Sequence, residues 1–338
     1  MRNNPSHDTR ILAVASAFKA EGQDVTVYTK DLPMRIKAHG VLGIPAFDYA
    51  PDAPSHSGHS GIERIDVPRD LINLLHKDKV VRGPGITGIP DNAALVLTDG
   101  GPSSSTLAVI DRDSQRLQLI PQGIEAWGVH GKSLEQRVSL QHLLNEDIRL
   151  VSLGGPAGTG KTLLSLAAGI QLVLQEKKYK KILVFRPLYA VGGQDLDFLP
   201  GSESEKMDPW AAAIYDALEA IGSPNSAEEL KAQDILQVLP LTHIRGRTLT
   251  DSFVIVDEAQ SLERVVILTA LSRMGHNSKA VLCWDIAQRD NLRVGRHDGV
   301  HAVVDKLRGQ PLFAHVSLTK TERSPLAAMV ASLLDDLR

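Results

Sequence analysis

A glycine-rich segment, GGPAGTGKT, occupies positions 154–162 of the sequence. From its second glycine onward it fits the spacing G-x-x-x-x-G-K-T, in which backbone N–H groups converge on the phosphates of a nucleotide. In such a loop the lysine neutralises the outer phosphates and the last hydroxyl holds Mg²⁺. The flanking runs LVSL and TLLSLAAGI favour this interpretation over a simple strand-to-helix turn. The predicted nucleotide-binding residues are Gly155, Pro156, Ala157, Gly158, Thr159, Gly160, Lys161 and Thr162.

Two adjacent acids, Asp257 and Glu258, follow the apolar run FVIV. A run of this kind predicts a buried strand, whose carboxyl end is the edge at which α/β sheets bind ligands. We expect Asp257 to hold Mg²⁺ beside Thr162, and Glu258 to orient and deprotonate the attacking water. An exposed acidic turn is the alternative. The acids and the glycine-rich loop together predict a site that hydrolyses ATP with Mg²⁺.

Further polar residues suggest that hydrolysis is coupled to movement. Gln136, in the run KSLEQR upstream of the loop, is the candidate reader of adenine. Gln260 completes D-E-A-Q, and Gln288 follows a third strand, AVLCWD, as a sensor of the γ-phosphate. Arg323, in TKTERS, is the candidate donor of positive charge to that phosphate. This set of residues is typical of a superfamily 1 helicase motor.

The elements that must position these residues fall into four zones. Residues 1–50 follow a helix–strand–helix pattern, and residues 51–78 combine a flexible connector, PDAPSHSGHSG at 51–61, with a short helix. Residues 79–125 carry short alternating runs that predict a small β module. In residues 126–338, the strands LVSL, KILVF, FVIVD, AVLCWD and HVSLT alternate with helical patterns. That alternation predicts an α/β domain with a parallel sheet covered by helices.

Composition limits the class of protein. The chain has 338 residues, of which 43% are hydrophobic and 23% charged, with a formal net charge of −3. These values are typical of a soluble globular protein and argue against a basic polyanion-binding tail. The one cysteine, Cys283, excludes a disulfide framework and is expected to be buried in a strand. No apolar run is long enough for a membrane span, so we expect a cytoplasmic protein without membrane partners.

Residues 126–338 resemble the PhoH family of P-loop ATPases. The resemblance rests on VFRPLYAVGGQDLDFLPGSESEKMDPW, IRGRTLTDSFVIVDEAQ and DNLRVGRHDGV. It implies a RecA-like P-loop NTPase that unwinds RNA, binds single-stranded RNA and assembles as a homo-oligomeric ring. Within it, Arg186 and the stretch 245–247 are candidates for contacts with the RNA phosphate backbone. Departures from the family pattern occur at Trp284, where glycine is usual, and around Asp195.

The run DTRILAVASAF…DVTVYTKDLPMRIKA resembles the C-terminal half of a PIN ribonuclease domain. Asp8 and Asp31 match the two later acids of that nuclease site, which makes them candidates for a residual Mg²⁺ or Mn²⁺ site. The earlier acids of the family lie before the segment matched here, so we expect a partial PIN-like half-domain without efficient nuclease activity. Each aspartate is also a candidate helix N-cap. The half-domain is expected to leave an apolar face around Ile11, Leu12, Val25 and Val27 without its partner strands.

Two other functions remain compatible with the sequence. A P-loop phosphotransferase would use the same loop on a small molecule, although the segment 186–210 offers no clear pair of residues to activate an acceptor. A module whose assembly is gated by ATP would need the nucleotide site without hydrolysis. Glu258 argues against that second alternative, because a gate has no need for a water-activating acid.

Overall fold

The computed structural model describes residues 7–29, 31–47, 59–83, 88–100, 105–111, 116–187, 203–222, 227–285 and 299–321. The chain divides into two compact units, residues 1–56 and residues 57–338. Within the described ranges, every helix is too short or too polar to cross a lipid bilayer.

The first unit is a small α/β structure with its own core. Its elements are α1 (His7–Ala20), β1 (Val27–Tyr28), α2 (Leu32–Ile36), a π-helical turn (Lys37–Val41) and β2 (Ala46–Phe47). The two strands pair in parallel, with Val27 opposite Ala46. This order confirms the predicted helix–strand–helix pattern, although the strand is far shorter than DVTVYTK. The expectation of an uncovered apolar face is wrong for Leu12 and Val27, which are buried in the core, and for Val25, which packs against it. Ile11 is 52% exposed.

The second unit begins with a five-stranded sheet. Its elements are β3 (Ile62–Asp66), α3 (Arg69–Asp78), β4 (Val80–Arg82), β5 (Ala94–Thr98), β6 (Ser105–Asp111) and β7 (Arg116–Leu119). The strand order is β3-β5-β6-β7-β4, with β3 parallel to β5 and the other neighbours antiparallel. The predicted start of this module at residue 79 is therefore wrong. The strand β3 lies in the stretch predicted as connector and helix, and α3 packs on the same sheet.

The central strands of this sheet, β5 and β6, are buried on both faces. Along β5, Leu95 and Leu97 pack with α3. Ala94 and Val96 point the other way and belong to a second core, which also contains Val151 and Leu153. Alternate residues of a strand point to opposite faces, so one short strand serves two cores. The module is thus a packed layer of the second unit.

The end of the predicted connector is also packed. The backbone oxygen of Ser60 accepts a hydrogen bond at 2.9 Å from the backbone N–H of Ser317, and Gly61 is buried. A Cβ atom on Gly61 would lie 1.8 Å from the backbone oxygen of His315. The expected flexibility is therefore wrong for residues 59–61, while residues 51–58 lie outside the described ranges.

The remainder of the second unit is a six-stranded parallel sheet with helices on both faces. It contains a short hairpin of β8 (Glu125–Ala126) and β9 (Val129–His130), then α4 (Leu134–Leu144), β10 (Leu150–Gly154), α5 (Lys161–Ile170), β11 (Lys181–Arg186), α6 (Glu203–Ile221), α7 (Ala227–Ala232), β12 (Leu236–Pro240), β13 (Ser252–Val256), α8 (Arg264–Leu271), β14 (Lys279–Trp284), α9 (Gly299–Leu307) and β15 (Phe313–Ser317). The strand order is β12-β11-β13-β14-β10-β15.

All five predicted strands of this sheet are confirmed, and the sequence missed the edge strand β12. Every neighbouring pair is parallel. The carboxyl ends of the strands therefore meet along one rim, where the residues that follow β10, β11, β13 and β14 come together. That rim is the edge at which open α/β sheets bind ligands.

Candidate functional site

The glycine-rich loop connects β10 to the first turn of α5. Gly155 has φ +141°, and a Cβ atom there would lie 2.1 Å from the backbone oxygen of Leu318. Gly160 precedes the helix with φ +91°, in the left-handed region that side chains disfavour. The loop thus needs glycine at both positions to fold tightly over the N-terminus of α5. Backbone N–H groups at such an N-terminus are well placed to bind phosphate.

Lys161 lies against the loop that it follows. Its ammonium group donates hydrogen bonds to the backbone oxygens of Gly155 at 2.6 Å and Pro156 at 2.9 Å. Burial lowers the pKa of Lys161, and nearby acids, first among them Asp285, oppose this shift. The side chain is therefore held at the loop, with its charge partly balanced by the acids of the rim.

Thr162 and Asp257 meet as the sequence predicts. The Thr162 hydroxyl donates a 2.8 Å hydrogen bond to Oδ1 of Asp257, although the two residues come from α5 and the end of β13. Asp257 is 5% exposed, and burial raises the pKa of its carboxyl group while Arg186 opposes the rise. A hydroxyl and a carboxylate beside a phosphate-binding loop are oxygen donors suited to Mg²⁺. The residues present therefore fit the predicted ion.

Hydrogen bonds of Glu258 and Gln260 link the end of β13 to the end of β14. The backbone of Glu258 is left-handed, with φ +54°, and its Oε2 accepts a 2.6 Å hydrogen bond from Nε2 of Gln260. The Oε1 atom of Gln260 accepts from the backbone N–H of Asp285 at 3.0 Å. One glutamine therefore joins the acid after β13 to the residue after β14.

These residues surround a cavity of about 210 Å³ at the rim. Its lining comes from the loop, the start of α5, the acid pair and the end of β14: Ala157, Gly158, Gly160, Lys161, Thr162, Leu163, Asp257, Glu258, Cys283, Trp284 and Asp285. The structure thus brings together the predicted loop residues, the oxygens that are predicted to hold the metal ion and the candidate base.

Gln136 is near the loop, but its amide group is engaged by the protein. It is 5% exposed, accepts from the backbone N–H of Lys132 at 2.8 Å and donates to the backbone oxygen of Thr159 at 3.0 Å. Ser133 caps the same helix start by accepting from the N–H of Gln136. In this structure Gln136 braces the phosphate loop from α4. Reading of adenine would require the amide to exchange a partner, and it stays a prediction.

Arg186 lies beside the acid pair. Its side chain is 13% exposed, with Nε 3.4 Å from Oδ2 of Asp257 and Nη2 3.4 Å from Oε1 of Glu258. Because β11 ends beside β13, the guanidinium group is directed into the acid pair, and an RNA-phosphate contact at Arg186 stays a prediction. The sequence signal was the position of the arginine at the end of KILVFR. Arg245 and Arg247 are exposed, and their RNA contact stays a prediction.

Several predicted residues remain untested by the geometry. Gln288, Arg323 and Asp195 lie outside the described ranges. Asp31 is an N-cap: its Oδ1 accepts from the backbone N–H of Met34 at 2.7 Å, at the start of α2. Asp8 is exposed in the first turn of α1.

Capping therefore accounts for Asp31, and a metal role for either aspartate stays a prediction. Within the described ranges, no group of three or more histidine, cysteine, aspartate or glutamate residues could hold a metal ion.

Cys283 and Trp284 have structural roles beside the cavity. Burial raises the pKa of Cys283 to about 12, so its thiol stays protonated, which confirms the expectation of an inert strand residue. The Trp284 indole N–H donates to the Ser152 hydroxyl at 2.9 Å, and its ring stacks on His315 with centroids 5.9 Å apart. The departure from glycine at 284 therefore fills space between neighbouring strands.

The fold and the site are those of a P-loop NTPase. They combine a parallel sheet, a glycine-rich loop at a helix N-terminus, and a threonine that is hydrogen-bonded to a strand-end aspartate. The chain belongs to the PhoH family: the family model described as PhoH-like protein matches residues 128–335. A second family model, described as a PIN domain, matches residues 1–50. Both resemblances inferred from the sequence are thus confirmed.

Similar proteins support the same assignment along the whole chain. A protein named PhoH2 from Mycolicibacterium smegmatis is 51% identical over 334 residues, covering 99% of this chain and 76% of that protein. PhoH2 of Thermobispora bispora is 50% identical over 331 residues, covering 98% and 75%. The Pif1 helicase structure from Candida albicans shares 16% identity over 61% of this chain and 43% of that chain, with a TM-score of 0.34. That last similarity is too low to argue for a shared activity.

Proposed function

We propose that this protein is an ATPase that uses Mg²⁺ and couples hydrolysis to movement on RNA. The observation that carries the proposal is the connected rim: Thr162 bonds to Asp257, and Gln260 bonds both to Glu258 and to the residue that follows the third strand. A site that only bound nucleotide would not need a water-activating acid tied to a second strand. The link offers a way to pass a change at the phosphates to the segment that follows β14.

Each residue of the rim has a role in this reaction. The loop N–H groups and Lys161 hold the outer phosphates, and Thr162 with Asp257 holds the metal ion. Glu258 orients a water molecule and accepts its proton. When bound, Mg²⁺ neutralises charge that develops on the phosphate oxygens. Gln288 as γ-phosphate sensor and Arg323 as charge donor complete the proposal.

Partners and assembly belong to the same proposal. Single-stranded RNA is the proposed polymer, and a homo-oligomeric ring would bring Arg323 of one subunit to the nucleotide of the next. The PIN-like first unit would contribute at most weak metal-dependent cleavage, because only Asp8 and Asp31 match the acids of that nuclease site and hard cations need more oxygen ligands.

The test is ATP turnover by the purified chain with and without single-stranded RNA at low salt, together with separation of an RNA duplex. We expect hydrolysis that requires Mg²⁺, increases with RNA and is lost in Lys161→Ala. Turnover without any response to RNA, combined with no strand separation, would contradict the motor. Phosphate transfer to a metabolite mixture under the same conditions would favour a phosphotransferase instead.

A further inference from the structure

The Arg186 side chain forms ion pairs with both acids that the proposed reaction needs. Arg186 reaches Asp257 through Nε and Glu258 through Nη2, both at 3.4 Å. The remaining oxygen of each carboxylate is also bonded, Oδ1 of Asp257 to the Thr162 hydroxyl and Oε2 of Glu258 to Gln260. Three of the four carboxylate oxygens therefore accept a hydrogen bond, and the fourth, Oδ2 of Asp257, faces Nε of Arg186 as an ion pair.

The fold builds this contact. Phe185 lies opposite Val256 in the parallel pair β11–β13, and the Asp257 N–H donates to the Phe185 oxygen at 2.9 Å. The next residue of each strand therefore emerges beside the other, which sets Arg186 next to Asp257. The pairing of β11 with β13 thus fixes Arg186 beside the acids, whereas a long side chain on the surface is free to change its partner.

The contact with Arg186 offsets the negative charge of the acid pair. Asp257 is 5% exposed, and a second carboxylate follows it directly in sequence. Buried negative charges are costly unless a cation or hydrogen bonds compensate them. The planar guanidinium group suits this role because it carries a permanent charge and can reach two carboxylates at once.

The same oxygens are those that a metal ion needs. A divalent ion at Thr162 and Asp257 would place a second cation beside the guanidinium group, and like charges at close range repel. Arg186 and the ion therefore compete for the acid pair.

We propose that Arg186 is an internal counter-cation that occupies the acid pair in the resting state and leaves it when the nucleotide brings Mg²⁺. The inference rests on the proposed function in that it takes Asp257 and Glu258 as the metal-holding and water-activating acids. It adds a regulatory property: the acid pair binds a free divalent ion weakly and is loaded efficiently only when nucleotide phosphates compensate the loss of the arginine contact.

The test measures binding of Mn²⁺ alone, as a paramagnetic substitute for Mg²⁺, to the full chain by loss of the free-ion EPR signal without nucleotide. Arg186→Gln should bind Mn²⁺ about tenfold more tightly than the unaltered protein, the equilibrium effect of one charge-assisted hydrogen bond. Arg69→Gln is the matched control, because Arg69 also faces an acid, Asp99 at 3.9 Å, but is 78% exposed and lies outside the site. Its Mn²⁺ affinity should equal that of the unaltered protein.

Equal or weaker Mn²⁺ binding by Arg186→Gln would overturn the proposal. So would a loss of affinity for a fluorescent ATP analogue with Mg²⁺ while binding of Mn²⁺ alone stays the same, since that result would make Arg186 a phosphate ligand. Circular dichroism checks folding, and Arg186→Lys carries the test if the glutamine variant unfolds. The lysine keeps one charge but loses the fork, so Mn²⁺ affinity should lie between the other two.

The fluorescent analogue also separates this inference from the proposed function. An unaltered protein that binds no ATP analogue with Mg²⁺ contradicts the ATPase. An unaltered protein that binds it, combined with an unchanged Mn²⁺ affinity in Arg186→Gln, contradicts only the role of Arg186.

Discussion

Glu258 is held between two donors at the rim, Gln260 and Arg186. Glutamine at position 258 keeps the shape and one acceptor oxygen but cannot take a proton from water. We expect Glu258→Gln to retain ATP binding and to lower the rate of hydrolysis by about 10²- to 10⁴-fold, the usual contribution of a general base. Single-turnover phosphate release measures this effect.

Glu228→Gln serves as the control, because Glu228 is exposed in the first turn of α7. Its hydrolysis rate should match that of the unaltered protein. If Glu258→Gln hydrolysed ATP at an undiminished rate, another group would be activating the water.

The sequence predicted the positions of site residues that a fixed spacing along the chain determines. It did not predict contacts that depend on the direction of a long side chain. Lys161 and Thr162 follow a glycine-rich loop whose backbone path is nearly fixed, and Asp257 must leave β13 at the rim. Arg186 and Gln136 have long side chains, and only the packed structure shows that one turns into the acids and the other braces the loop. Spacing along the chain contains no signal for that choice.

Lys279 illustrates how one buried cation supports an element. It starts β14, has no exposed surface, and donates to the backbone oxygens of His142 at 2.8 Å and Asn145 at 2.7 Å, at the C-terminal end of α4. These oxygens lack partners within the helix. Burial, aided by Arg149, lowers the pKa of Lys279 to about 7, against smaller opposing effects of two acids in the turn after α4.

This shift predicts a pH dependence of stability. The unfolded chain binds the Lys279 proton up to its ordinary pKa of 10.5, whereas the folded chain releases it above about 7. The contribution of the group to the free energy of unfolding is therefore complete above 10.5 and is lost as the pH falls towards 7. The slope between these values is at most about 1.4 kcal/mol per pH unit.

Urea unfolding of the unaltered protein and of Lys279→Met, from pH 7 to pH 9.5, measures this slope. The difference in free energy of unfolding should grow with pH in favour of the unaltered protein. A difference that stays constant over the range would show that Lys279 keeps its proton in the folded state.

The contact between Gly61 and β15 joins the five-stranded sheet to the P-loop sheet. Alanine at this position needs the same left-handed backbone, φ +77°, and also places Cβ 1.8 Å from the His315 oxygen. Gly100 is a matched control, because its φ is +79° and a Cβ atom there would point into open space. We expect Gly61→Ala to lower the free energy of unfolding by about 1–3 kcal/mol more than Gly100→Ala, measured by denaturant unfolding. Equal losses would mean that the two sheets separate at little cost.

Two strands, β12 and β3, were not predicted from the sequence. The edge strand β12 is only half-buried over its middle residues, so it lacks the continuous apolar run that revealed its neighbours. The strand β3, IERID, is rich in charge and has no fully buried residue. Both strands form because a neighbouring strand offers them a ladder of hydrogen bonds, a tertiary effect that no local pattern records.

At the scale of the whole molecule, the proposed function requires the rim to pass a change at the nucleotide to the segments that would contact RNA. Gln260 is the link, since it bonds to Glu258 after β13 and to the backbone of Asp285 after β14. Alanine at 260 removes both bonds while Lys161, Thr162 and Asp257 keep their contacts. We expect Gln260→Ala to bind ATP normally, to hydrolyse it within about tenfold of the normal rate without RNA, and to lose stimulation by RNA.

Steady-state turnover across a range of RNA concentrations tests this coupling, with Gln237→Ala as the control. Gln237 also donates to a carboxylate, that of Asp234, but it lies on the edge strand β12 away from the rim. Its stimulation by RNA should be unchanged. Full stimulation in Gln260→Ala would mean that the signal crosses the sheet by another route. A general loss of ATP binding in that variant would make Gln260 a support of the site instead of a link, because coupling requires the site to remain intact when the connection is cut.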